Sequence, residues 1–411
     1  MVETHKLSQI NSESSRLKRS IILFTVFIDA TGYAMVIPLL PFFSASFGVG
    51  AAGLGLLMLM FALMQFIFSP IMGNLSDIYG RRKLLLASII LSSLSFLMFT
   101  IAQSYWFLLV SRILSGIATE VSIAQAYMSD ITSDKKRTPG LGKVRAAFSA
   151  GVIIGPIVGA ALAFIGYWAS GLLAVSLTLI NLVFAYFFLP ETIEISESIK
   201  KKLIDKEKNL FQGLKNAIKQ PIIPSLLVTF FVVSYAYAAI PILVPYVSQE
   251  FFGFTEFDLS LVFVFIGVLQ FITQGFLMEK LSNVIGELLL IIIGIISISL
   301  GIGLMPYLQN IILFYILITI LSTGSGFVRT SIPGLISKTT SEKEQGKYMG
   351  ITQSAASLAF IPGPLVAGIT YQYISFTAPF LISSFLVILT LIFIIKVYFQ
   401  LEKSKTNLSV I

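Results

Sequence analysis

The sequence has 411 residues, 56% hydrophobic and only 12% charged, with a mean hydropathy of +0.91. A water-soluble domain cannot bury that much apolar surface, so the composition reads as an integral membrane protein. The absence of cysteine excludes disulfides, thiolate metal sites and a thiol nucleophile.

A membrane-spanning helix needs about 20 apolar residues. Twelve such runs fit, at roughly 20–43, 53–74, 84–103, 105–130, 144–166, 168–190, 222–248, 257–281, 287–306, 310–336, 346–372 and 377–400. They are numbered here as spans 1 to 12. They are continuous rather than alternating, which argues against a β-barrel. The first 20 residues are polar and basic and include the only histidine, His5. The run behind them is too long for a cleaved signal and reads as a retained first span.

The net charge of +8 raises the question of nucleic acid, and the placement of the basic residues answers it. Of 28 Lys and Arg, all except Arg112 and Arg329 fall in the tails and in alternate loops. This positive-inside pattern predicts a multi-pass protein of the cell membrane with both termini in the cytoplasm. Its basic residues then face anionic lipid, and no nucleic-acid role is expected.

Span 1 contains Asp29-Ala-Thr-Gly32-Tyr33 and then Pro38-Leu-Leu-Pro41. A carboxylate within an apolar run costs about 3 kcal/mol on insertion scales, so Asp29 should face a cavity or a partner. Gly48-Val-Gly50-Ala-Ala-Gly53 has the G-x-G-x-x-G form but follows no strand, so dinucleotide binding is rejected.

Spans 2 and 3 flank Gly73-Asn-Leu-Ser-Asp77-Ile-Tyr-Gly80-Arg81-Arg82-Lys83, read as a charged hinge. Gly73 would allow close helix approach and Gly80 a tight reversal. Asp77 would sit near the N-terminus of span 3, where the helix dipole favours an anion. With Asp130, at the end of span 4, these residues form a candidate conformational gate.

In span 4, Arg112, Gly116 and Glu120 recur at i, i+4 and i+8, which places them on one face. The two charges are about 12 Å apart along a continuous axis, too far for a tight pair. Span 5 carries Gly151-x-x-x-Gly155-Pro156-x-x-Gly159, a smooth groove for a neighbouring helix with a bend at Pro156. Residues 191–221 form a Lys-rich linker whose Leu203, Leu210, Leu214 and Ile218 predict an interfacial helix.

The second half repeats the first. Leu75-Ser-Asp77 matches Leu281-Ser-Asn283, Gln65-Phe-Ile matches Gln270-Phe-Ile, and Gly155-Pro156 matches Gly363-Pro364, at offsets between 205 and 208. The expected architecture is all-α, with two pseudo-symmetric six-helix bundles over 1–190 and 222–411. Such repeats place a substrate site at their interface near the bilayer midplane. Candidate cavity residues are Tyr33, Tyr235, Tyr237, Gln270, Gln274, Phe327, Arg329 and Gln353. Arg329 corresponds to the neighbourhood of Glu120, and a pair between the two is expected in one state of the cycle.

These motifs resemble, over essentially the whole chain, the major facilitator superfamily and its twelve-helix drug:proton antiporter group, which includes tetracycline exporters. Gly73-x-Leu-Ser-Asp77-x-x-Gly80-Arg-Arg resembles the superfamily loop signature. Asp29-Ala-Thr-Gly32 with Pro38-Leu-Leu-Pro41 resembles span 1 of tetracycline-type exporters. Arg112-x-x-x-Gly116 resembles the span 4 signature of proton-coupled members, and the glycine series of span 5 the antiporter signature. Two positions depart. Ser115 stands where Gln is common, and Glu120 stands where small residues are usual, which points toward cationic substrates or a second proton site.

The resemblance implies proton-coupled efflux of small, largely apolar or cationic compounds by alternating access. Asp29 and Glu120 would carry protons and Arg112 would tune them. It implies a monomer whose partners are substrate, protons and lipid, with no cofactor or metal. The rivals are the same fold moving a sugar, peptide, metabolite or lipid, and a non-transporting membrane sensor. A membrane enzyme is the weakest, for want of metal-ligand spacing, a Cys/His pair or a nucleophile motif.

Overall fold

The computed structural model describes the backbone of residues 2–132, 134–192, 220–340 and 344–408, and within those ranges the side chains of 18–402 other than 134–138 and 346–347. Among the described residues every regular element is helical. Twelve helices are long and apolar enough to cross a membrane. They are Lys18–Ser46, Ala51–Tyr79, Arg81–Thr100, Tyr105–Asp130, Pro139–Ala163, Tyr167–Phe188, Ile223–Phe252, Glu256–Ile285, Glu287–Tyr307, Ile311–Thr339, Tyr348–Tyr373 and Ala378–Glu402. The predicted linker helix falls mainly on 193–219, outside the described residues.

The chain divides into two compact units. One comprises Met1–Phe47, Leu63–Leu203 and Glu256–Val264; the other comprises Gly48–Ala62, Ile204–Thr255 and Phe265–Ile411. In the first unit, span 1 packs against spans 5 and 6, and span 3 against spans 4 and 6. In the second, span 9 packs against spans 10 and 12, and span 7 against spans 10 and 11.

The duplication is visible in matched contacts. A Cβ built on Gly155 would lie 2.6 Å from the Thr31 carbonyl oxygen and 2.8 Å from the Ala34 Cβ. A Cβ on Gly363, the counterpart in span 11, would lie 2.8 Å from the Tyr235 carbonyl oxygen and 2.9 Å from the Ala238 Cβ. Gly151 and Gly159 likewise leave no room for a side chain beside span 1. The helix runs on through Pro156. Ser93 Oγ donates to Thr178 Oγ1 at 2.9 Å, joining spans 3 and 6. The residues 206 positions on, Ser299 and Ser384, join spans 9 and 12 at 2.8 Å.

Three sequence expectations change in detail. The Gly73–Lys83 hinge is not a loop: the span 2 helix runs to Tyr79 and the span 3 helix starts at Arg81. The reversal falls on Gly80 alone, whose φ of 102° a side chain would oppose. Gly73 faces open space and makes no close helix approach. Span 4 is not one helix but two, Tyr105–Ile117 and Glu120–Asp130, separated by extended backbone at Ala118 (φ −70°, ψ 112°) and by Thr119 (φ −125°, ψ 50°). The single-face geometry assumed for Arg112, Gly116 and Glu120 therefore does not carry across the break.

Candidate functional site

Two polar clusters stand out, one in each unit. In the first, Glu120 opens the second half of span 4 and is 2% exposed. Its Oε1 accepts a 2.6 Å hydrogen bond from Ser92 of span 3, while Oε2 is buried without a hydrogen-bond partner. Asp29, on span 1, lies within electrostatic range of Glu120. Arg112 is 1% exposed, and its contacts are Ser111 Oγ at 3.3 Å and the electrostatic influence of Tyr33; its Nε is buried without a partner. Arg112 and Glu120 thus have distinct polar surroundings.

In the second unit, the Arg329 guanidinium rests over the Tyr237 ring, 4.6 Å from its centroid. The Gln270 side-chain amide donates to Tyr237 Oη at 2.7 Å. The Phe360 ring packs on Tyr237 edge to face. Arg329 thus uses the aromatic face to offset its desolvation. Tyr33 and Tyr237 are counterparts in the duplication, and each lies beside an arginine within its own unit. Tyr235 is buried, with its carbonyl against Gly363. Phe327 is half-buried, and Gln274 and Gln353 are exposed. Gln274 lies in a π-helical turn, Thr273–Leu277, that interrupts span 8. Such turns often mark functional positions.

Of the candidate gate residues, Asp77, Arg81, Arg82 and Asp130 lie at the Gly80 end of spans 2 and 3. Arg81 bridges Asp77, the Ser76 hydroxyl at 2.6 Å and Asp130 Oδ2 at 3.0 Å. One planar guanidinium thereby joins spans 2, 3 and 4. Asp77 lies at the start of span 3 through its ion pair with Arg81, and Glu191 is a second carboxylate there, whose Oε1 accepts from the Arg82 backbone N–H at 3.3 Å and from Thr192 N–H at 3.0 Å. Arg82 itself donates to the Tyr186 carbonyl and lies over that ring.

Sequence reasoning passed over Ser88, Ser92, Thr119 and Glu191. The first two were legible: with Ser95 they form a polar stripe at i, i+4 and i+7 on an apolar helix. The role of Glu191 was not legible, because it depends on span 6 ending beside Gly80.

Comparison with known proteins fits this architecture. The family model described as Major Facilitator Superfamily matches residues 22–332 and, in a second match, 259–409. The chain belongs to the Major Facilitator Superfamily. It is 28% identical to "Multidrug resistance protein 2" of Bacillus subtilis (strain 168), over 90% of this chain and 92% of that protein. It is also 28% identical to "Tetracycline resistance protein, class C" of Escherichia coli, over 85% of this chain and 89% of that protein. The solved structure of the human organic anion transporter MFSD10 (TETRAN) superposes with a TM-score of 0.68 at 21% identity, covering 92% of this chain and 99% of that one. At that identity the likeness shows the fold alone. As a superfamily member the chain is a multi-pass membrane transporter, whose relatives include multidrug and tetracycline resistance proteins.

Proposed function

We propose that this chain is a proton-coupled exporter of small, largely apolar or cationic compounds, working by alternating access. The observation that carries the reading is the pair of carboxylates inside the first unit, Asp29 on span 1 and Glu120 at the break in span 4, within electrostatic range of each other. Two such groups in an apolar interior repel when both are charged, so the pair holds a proton or another cation and releases it when its surroundings change. The multidrug and tetracycline resistance proteins among the relatives support export as the direction and drugs as the cargo. A carboxylate at this depth favours cationic over anionic cargo. Arg112, buried and without an acidic partner among the described residues, serves to tune the pair.

The Arg81 network and Glu191 act as the gate, holding one conformation until the cycle requires release. The positive-inside pattern supports cytoplasmic termini and contact with anionic lipid. We take the working unit to be a monomer.

The test is internal pH in liposomes containing the purified protein, with lipophilic cations, neutral drugs, tetracyclines and sugars applied in turn. Compound-driven proton movement is expected for cationic or neutral drugs, and Asp29→Asn or Glu120→Gln should abolish it. Compound binding with no proton movement would overturn proton coupling and favour a uniporter or sensor.

A further inference from the structure

The interruption of span 4 has no local cause in the sequence. Residues 114–120 are Leu-Ser-Gly-Ile-Ala-Thr-Glu, with no proline to end the helix. The counterpart, span 10, runs unbroken from Ile311 to Thr339. Interrupted backbone at membrane depth is costly and persists only where protein or a polar cavity satisfies it. Here the Thr119 N–H leaves the helical ladder and donates instead to Ser88 Oγ on span 3, at 2.9 Å.

The break leaves oxygen atoms without partners. Glu120 Oε2 and Thr119 Oγ1 are both buried and unpartnered, in residues 2% and 4% exposed. The break brings together the carbonyl end of the first half-helix, at Gly116 and Ile117, with the negative end of its dipole, and the N-terminus of the second, at Thr119 and Glu120, with the positive end of its own. Ser92 holds the other carboxylate oxygen and so orients the free one.

We propose that this break is a binding site for a hard monovalent metal cation, of which Na⁺ is the probe. Glu120 Oε2, Thr119 Oγ1 and the carbonyl end of the half-helix would be its ligands. Unwound backbone and half-helix C-termini are suited to such ions. The donors are all oxygen, which suits an alkali ion over a soft one. Among the described residues no group of three or more His, Cys, Asp or Glu could hold a metal, which disfavours a divalent ion needing several carboxylates. The proposal rests on the reading of Glu120 under Proposed function and deepens it, because the same carboxylate would hold the metal ion.

The test needs no transport. Thermal unfolding of the purified full chain in detergent is followed as Na⁺ replaces choline at constant ionic strength, with ²²Na⁺ binding measured in parallel. A saturable, Na⁺-specific rise is expected. Glu120→Gln and Thr119→Val should each weaken it by about tenfold or more, while Glu279→Gln, which alters an exposed carboxylate on span 8, should respond as wild type. Direct ²²Na⁺ binding covers the case in which a variant unfolds too readily for the thermal readout. Equal responses to choline and Na⁺, or a Na⁺ response unchanged in both span 4 variants, would overturn the site. Lost Na⁺ binding with intact drug-driven proton movement would sink this inference alone. Intact Na⁺ binding with no proton movement would sink only the proton-coupled reading.

Discussion

Two glycines that look alike in the sequence behave differently. A Cβ at Gly155 would meet the Thr31 carbonyl oxygen at 2.6 Å, and both are backbone-anchored, so neither can swing aside. Gly155→Ala must therefore push span 5 away from span 1. A loss of about 1–3 kcal/mol is expected, as for other overpacked interfaces, read as a lower thermal midpoint in detergent. Gly73→Ala meets nothing within 4 Å and lies inside a helix. It should leave the midpoint unchanged or raise it, since Ala is the better helix former by about 1 kcal/mol. An equal fall in both variants would show that the span 1–span 5 contact is not what the glycine protects. Asp29, Arg112 and Glu120 were legible as single residues because an ion in an apolar run is expensive wherever it points. Their partners were not, because a partner is a property of the neighbouring helix.

At the level of helices, the duplication shows in side-chain bonds that sequence comparison does not register. Ser93–Thr178 and Ser299–Ser384 occupy equivalent places in the two halves. A Ser or Thr in a helix can satisfy itself on its own backbone, as Thr178 also does with the Ala174 carbonyl. Nothing in the sequence marked these four as bridges. Measured interhelical bonds of this kind average about 0.6 kcal/mol. Ser93→Ala and Thr178→Val should each lower stability by about that much, with the double variant no worse than the larger single effect. Adding Ser299→Ala should contribute its own separate loss. Full additivity between Ser93→Ala and Thr178→Val would count against a shared bond.

The ion pairs at the candidate gate show the same duplication with their charges exchanged. Arg81 pairs with Asp130 in one half, and the equivalent positions, Glu287 and Lys338, pair in the other. The first is a more buried network with three partners. The second is a single pair whose Lys is mostly exposed, and solvent screening leaves it weak. The break in span 4 belongs to the same scale. Apolar periodicity predicted one helix over 105–130, and where the chain leaves the helix the hydroxyl of Ser88, supplied by another span, satisfies the Thr119 N–H.

Across the whole molecule, the division into units does not follow the linear halves. Residues Gly48–Ala62 of span 2 belong with the second unit. There Gln372 Oε1 accepts from the Ala52 N–H at 2.9 Å, and a Cβ on Gly55 would lie 2.6 Å from the Pro364 carbonyl oxygen. Glu256–Val264 of span 8 belong with the first unit, where Tyr167 Oη donates to Glu256 Oε1 at 2.6 Å. If transport requires span 2 to part from span 11, joining them should arrest it. The absence of native cysteine makes the test clean. Ala52→Cys with Gln372→Cys, bridged by a short reducible cross-linker, should lose drug-driven proton movement and regain it on reduction. Full transport in the bridged protein would show that this contact stays closed through the cycle.

The sequence by itself determined the membrane class, the twelve spans to within a few residues, the duplication, and the buried charges. Each of these follows from local hydropathy or internal repetition, which bilayer thickness and the cost of burying charge enforce on any arrangement of the helices. Tertiary structure decided where span 4 breaks, that Glu191 joins Asp77 at the start of span 3, and which serines bridge spans. It also decided that the ends of spans 2 and 8 group with the opposite halves of the chain. Those features depend on which helix supplies a hydroxyl, a carboxylate or a close backbone to another, and no local pattern in the chain encodes that.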